Sequence, residues 1–257
     1  MAKWTAFPYT GEYSFDAASV KKKWARLHAG DLEPLPKNPA VLQAWVDFHN
    51  GEFHKAATAG KSLGLEGFNV ANKATCVYAT FLEKHEAQRL DLFMEVAKRS
   101  GEQIADNPDD LCARFWHAYA LGRYSQGISV AKALAQGLGT KIKTDLEYVI
   151  RHQPEHSDAH VALGTYHAEV IDKVGSLIGA MAYGVNKDIG MRHFTRALIL
   201  TPHSAYALLD YANGLLMLCG DDAADEAKAL LEQAANLKPL DALERLDVEL
   251  AKTELED

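Results

Sequence analysis

The sequence is poor in the features that usually decide a protein's chemistry. Its 257 residues hold three cysteines, Cys76, Cys112 and Cys219. They are far apart and odd in number, so they form neither a metal-ligand spacing nor a disulfide framework, and a reducing compartment is the simpler expectation. No stretch approaches the roughly 18 to 20 apolar residues of a membrane span. The N-terminus, Met1-Ala-Lys-Trp-Thr-Ala, lacks the apolar core of a signal peptide. These absences predict a cytoplasmic protein with no membrane insertion. Positive charge is not in excess either: 27 Lys and Arg against 35 Asp and Glu leave a net charge of -8. That argues against nucleic acid as a partner, because phosphate contact requires clustered cations. The one basic run, Lys21-Lys22-Lys23, fits a solvated helix face. Strand-type alternation is absent. Gly137-Leu-Gly139-Thr-Lys141 has neither the full spacing of a phosphate loop nor a buried strand before it.

What is present is helix, punctuated at regular intervals. Asn107-Pro108, Gln153-Pro154, Thr201-Pro202 and Lys238-Pro239 each close one helical pattern and open the next, at spacings of 46, 48 and 37 residues. Proline cannot continue a helix, and the Asp or Ser that follows supplies an N-cap oxygen. The helices before Pro154, Pro202 and Pro239 share a small, large, small type of face, which is poor before Pro108. Gly190, Phe194 and Ala197 lie 12, 8 and 5 residues before Pro202. The same offsets give Ala227, Leu231 and Ala234 before Pro239, and Ile142, Leu146 and Val149 before Pro154. Offsets of three and four place each set on one helix face. A second repeat is more direct. Ser129, Ala133, Ala135 and Gly137 recur 47 residues later as Ser176, Ala180, Ala182 and Gly184. Self-similarity at such a period is the mark of stacked helical units.

The small-x3-large-x2-small-x4-Pro pattern resembles the second helix of a tetratricopeptide (TPR) repeat. Gly51-Glu52-Phe53-His54-Lys55-Ala56 resembles its inter-helix turn, and Leu163-Gly164 its first helix. The repeat expects 16 residues from Gly164 to Phe194, and the chain has 30. The middle units therefore carry helical insertions, around Ser129 to Gly139 and Ser176 to Asn186. A further resemblance, over about residues 108 to 240, is to the TPR-like core of the regulator of microtubule dynamics family. It rests on Gly139-Thr-Lys-Ile-Lys143, Pro154, Ala159-His160, Leu163-Gly164, Val170, Ala182-Tyr183-Gly184 and Phe194-x2-Ala197. The targeting segments of that family have no counterpart here, so a microtubule role does not transfer. The resemblance implies the fold and a partner- or ligand-binding habit. The expectation is an all-α, TPR-like, right-handed helical-repeat stack with extended middle repeats, of ten to twelve helices. An N-terminal helical region, 1–107, with one TPR-like hairpin precedes TPR-like repeats with helical insertions over 108–257, the expectation being one continuous stack.

In such arrays the first helices line the concave face. Placing Gly164 at the eighth position of its repeat puts Asp158 and Thr165 on that face, with Glu169 adjacent. The equivalent positions of the neighbouring units hold Arg114, Tyr206 and Asn213. Apolar neighbours with these few polar groups are the composition of a peptide or small-ligand groove. Arg114 and Glu169, opposite in charge and from adjacent units, are the most informative pair. The first functional expectation is a non-catalytic scaffold for a protein or peptide partner, with no cofactor. The second is a binder of a small apolar or amphipathic ligand enclosed by the two insertions. A metal-dependent or acid-base enzyme ranks third. His160 and His167 are seven apart, about 10 Å along a helix and too far to share one metal readily. His156 and His160 have i, i+4 spacing, but His156 falls at the helix start. Glu169 with Asp172 or Asp158 could pair for acid-base work only if burial separated their pKa values. The glycines and alanines from Gly175 to Gly184 read first as close helix packing.

Overall fold

A computed structural model describes residues 4–256. Among them every regular element is helical: fourteen α-helices and two single 3-10 turns, with no strand. Two compact units divide the chain. The first comprises the residues up to His28, Leu32–Ser129 and Leu240–Leu243; the second comprises Ala29–Asp31, Val130–Pro239 and the residues from Glu244 on.

The first unit contains α1 (Ala17–Leu27), α2 (Pro39–His49), α3 (Phe53–Ser62), α4 (Phe68–Phe81), α5 (Glu86–Asp106) and α6 (Leu111–Gln126). Successive helices pack on one another, α2 with α3, α3 with α4, α4 with α5 and α5 with α6. Local chemistry sets their starts. Asp16 and Ser19 form a reciprocal capping box at α1, and Asn38 caps α2 ahead of Pro39. The sequence places the boundary at 107/108, at the Asn107-Pro108 turn. The structure divides the chain after 129, because α6 packs against α5 and α4.

The interior of this unit is unusually polar where α4 meets α5. Arg99 is buried and donates from Nε to Asn72 Oδ1 (2.6 Å), and from its two terminal nitrogens to Glu95 (2.8 Å) and Thr75 (3.3 Å). Asn72 in turn donates to Ser100 and Gln103, and Gln103 donates to Asn69. A guanidinium with five fixed donors is well suited to fasten two helices in one register. All four tryptophans lie in this unit: Trp24 meets Trp45 edge-on, Trp4 stacks on Tyr78, and Trp116 packs edge-on to Phe115. Cys76 is buried here too, and burial pushes its thiol up to about 12, which makes it an inert packing group.

The second unit contains α7 (Val130–Ala135), α8 (Leu138–His152), α9 (Ser157–Val174), α10 (Ser176–Tyr183), α11 (Lys187–Leu200), α12 (Ala205–Cys219), α13 (Ala224–Ala235) and most of α14 (Ala242–Glu256). The anticipated helix faces are interior. Ile142, Leu146 and Val149 of α8, Gly190, Phe194 and Ala197 of α11, and Ala227, Leu231 and Ala234 of α13 are all buried. Phe194 is fully buried as a wedge between α9 and α12, stacked on Tyr211 at 5.2 Å. The wedge fits only because Gly164 and Gly214 stand opposite the ring. A Cβ at Gly164 would lie 2.9 Å from Phe194, and one at Gly214 would clash with it outright.

Both insertions are helical, as α7 and α10. Gly137 after α7 and Gly184 after α10, 47 residues apart, share one left-handed conformation (φ 63, ψ 28 and φ 63, ψ 32). That region admits glycine without the Cβ penalty, so both glycines have a backbone reason. Lys143 of the Lys-Ile-Lys segment donates to the carbonyls of Tyr183 and Gly184, neutralising the C-terminal end of α10. The proline turns cap as expected at α6 by Asp110 and at α12 by Ser204. At α9 the cap is His156, whose Nδ1 accepts from Ala159 N. Ser157 is turned inward instead, onto the Ala197 carbonyl and the Thr201 hydroxyl at the end of α11.

Candidate functional site

Five of the six residues anticipated to line a groove belong to the second unit; Arg114 belongs to the first. The Arg114 Nε donates to the Pro108 carbonyl at 2.8 Å, which ties it to the turn that opens its own helix. Asp158 sits in the first turn of α9, where a carboxylate favours the positive end of the helix. Its backbone N–H donates to the Gly30 carbonyl, and its carboxylate lies directly against that glycine. Thr165 donates to Asp210 of α12 at 3.0 Å, and Asn213 of α12 donates to Glu254 of α14 at 3.2 Å. These two donors occupy the same position in the proposed alignment of first helices. Each reaches a carboxylate on another helix, Thr165 on α12 and Asn213 on α14. Glu169 and Tyr206 are half-buried on α9 and α12. The result is a half-buried face on α9, α12 and α14 with carboxylates at Asp158, Glu169, Asp210 and Glu254. Asp210 and Glu254 were absent from the sequence-derived set. No local signal marked them: Asp210 lies on α12 and Glu254 on α14, and each meets its donor only across helices.

Behind that face three histidines meet between α9 and α11. The His160 and His193 Nδ1 atoms are 2.8 Å apart, and His160 Nε2 is 3.1 Å from the Pro154 carbonyl. A carbonyl only accepts, so His160 carries its proton on Nε2 and His193 donates from Nδ1 to His160. His167 accepts from the Asn186 N–H through Nδ1 at 3.0 Å, and its ring stacks at 6.2 Å from that of His193. Burial holds all three below the ordinary imidazole value. His167 and His193 fall to about 4; Lys143 adds to the effect at His167, and His160, His167 and Arg192 add at His193. They are neutral, packed imidazoles at neutral pH. Among the described residues no group of three His, Cys, Asp or Glu side chains is arranged to hold a metal. His160 and His167 were singled out in the sequence, and His193 was not, because its register against α9 is a tertiary property.

A second pairing also escapes the sequence. His49 at the end of α2 is fully buried, with Nδ1 2.6 Å from the Asp241 carboxylate across 192 residues of chain. Aromatic rings of Trp45, Phe48 and Phe15 enclose the imidazole, so the pair fastens the 240–243 segment within the first unit. The sequence carries no local signal for it.

No protein-family model and no curated protein matches the chain. No helix among the described residues is long and apolar enough to cross a membrane.

Proposed function

We propose that the protein is a non-catalytic scaffold of TPR-like, right-handed stacked helical hairpins that binds a protein or peptide partner on the face of its first helices. The observation that carries this reading is the repeated bond between successive first helices, Thr165 to Asp210 and Asn213 to Glu254. Repeat arrays present such a continuous row of equivalent positions as an extended binding surface. The row here is acidic, so the fitting partner is an extended segment with basic residues between apolar ones. The test is selection from a displayed random-peptide library against the full chain. Peptides enriched in Lys and Arg are expected, and the variant Glu169→Lys with Tyr206→Ala is expected to lose them while keeping its helical circular dichroism. Enrichment of acidic peptides, or retention of the selected ones by the variant, would refute the reading. The alternative, a small apolar ligand enclosed by the insertions, has less support: α7 buries no residue and α10 buries only Gly179.

A further inference from the structure

Two short helices of the second unit carry apolar side chains that lie open. On α10, Leu177, Ile178 and Met181 are 73, 59 and 82 % exposed, and the helix touches α9 and the following turn through Gly179, against Val170 and Val185. On α7, Val130 and Leu134 are 37 and 55 % exposed. The α10 sequence, Ser-Leu-Ile-Gly-Ala-Met-Ala-Tyr, has no charged residue. A helix apolar around its circumference belongs in a core or in lipid, and exposed apolar patches mark interaction sites. The two helices are neighbours through α8. Helix α7 leads into α8 at Gly137, while Tyr183 of α10 lies against Gly139 and is held by Lys143.

Charge selects the occupant. The chain carries 35 Asp and Glu, yet residues 130–144 and 173–187, which contain α7 and α10, hold none. Exposed lysines stand in or beside both helices: Lys132 and Lys141 for α7, Lys173 and Lys187 for α10. Asp145 and Glu147 lie just outside the first segment, Glu147 at 3.9 Å from Lys143, and Asp172 and Asp188 lie just outside the second. Apolar side chains set among lysines, with the exposed carboxylates kept to the flanks at Glu147, Asp172 and Asp188, match the interface of an anionic bilayer. The apolar groups enter the acyl boundary while the lysine stems extend along it and place their ammonium groups at the headgroups. A second copy of the chain would instead bring this lysine rim against itself, placing like charges together. Repulsion between the acidic remainder of the chain and the anionic surface is screened beyond about 10 Å at 0.1 M salt.

We infer that α7 and α10 form a lipid-docking face that seats the protein peripherally on a bilayer with anionic headgroups, without spanning it. The test is sedimentation of the full chain with vesicles of two parts phosphatidylcholine to one part phosphatidylglycerol, alongside pure phosphatidylcholine. Binding to the mixed vesicles is expected, weakened by added salt and at least about tenfold weaker to the neutral ones. Leu177→Glu with Met181→Glu should abolish it and leave the thermal midpoint unchanged, since both side chains are exposed. Lys141→Glu with Lys187→Glu should remove the preference for the anionic lipid. Failure to sediment with either vesicle would overturn the inference, as would undiminished binding by the Leu177/Met181 variant. Equal binding to both vesicles would overturn the headgroup assignment. A wild-type dimer in analytical ultracentrifugation that this variant dissolves, with no vesicle binding, would assign the face to a second copy. Loss of selected peptides is read from Glu169 and Tyr206, so failure here is distinct from failure of the scaffold reading.

Discussion

The α4–α5 interface of the first unit and the α9–α11–α12 interface of the second solve one problem with opposite chemistry. In the first, a buried guanidinium and four amide or hydroxyl side chains join the helices by directed bonds. In the second, one phenyl ring enters a slot floored by two glycines. Hydrogen bonds impose register because each orphaned group carries a desolvation penalty; a wedge imposes it because no other placement fits. The two designs should therefore fail in different ways.

The largest effect is expected at the wedge. Phe194→Ala should lower unfolding free energy by about 3–5 kcal/mol, as other buried aromatic truncations do, because the facing glycines supply no side chain to fill the space. Chemical denaturation followed by far-UV circular dichroism measures this, and an unchanged midpoint would show that the ring does not organise the interface. Arg99→Ala should cost about 1–3 kcal/mol for each buried group left without a partner. Replacing Arg99 and Asn72 together by Met and Leu should recover much of that loss. No apolar substitution at a second site should rescue Phe194→Ala to the same degree, and equal rescue in both units would remove the distinction. Gly214→Ala should cost about 1–3 kcal/mol by overpacking. Adding Phe194→Leu should relieve part of the clash, so the double variant should be more stable than additivity allows.

The smallest effect near neutrality is on pH. His167 and His193 titrate near 4 in the folded chain, against an ordinary value of 6.5. As pH falls the unfolded chain takes up these protons first. Stability from this cluster is complete above about pH 6.5, declines between 6.5 and 4, and levels off below. Thermal melts across that range should show the decline, and His193→Gln with His167→Gln should flatten it. His160, Lys143 and Arg192 face the same cluster and remain in the variant. A profile unaltered by both substitutions would place the acid-sensitive groups elsewhere.

The difference between the units also marks what could be read from the sequence. The faces of α8, α11 and α13 and the helicity of α7 and α10 follow from spacing within a dozen residues, where side-chain direction is fixed by helix geometry. Gly137 and Gly184 were visible as a repeat, and their shared left-handed backbone supplies the reason. Pairings across helices were not visible. His160 with His193, Arg99 with Asn72, and His49 with Asp241 depend on the register between helices, which no local period encodes. The grouping of α6 with α4 and α5 is of the same kind: Asn107-Pro108 reports where a helix stops, and says nothing of which helices remain in contact beyond it. Thr165 and Asn213 could be singled out from their place along their own helices, while their acceptors Asp210 and Glu254 lie on other helices and required the packing to be in place.

Because Trp4, Trp24, Trp45 and Trp116 are confined to the first unit, the protein carries a built-in optical division. Every indole emitter belongs to the half fastened by Arg99. The Phe194–Tyr211 stack contributes no indole signal of its own, whereas backbone ellipticity reports on the helices of both units. Recording both signals along one denaturant series therefore separates the two halves without a label, and a gap between the two curves would measure how independently they come apart.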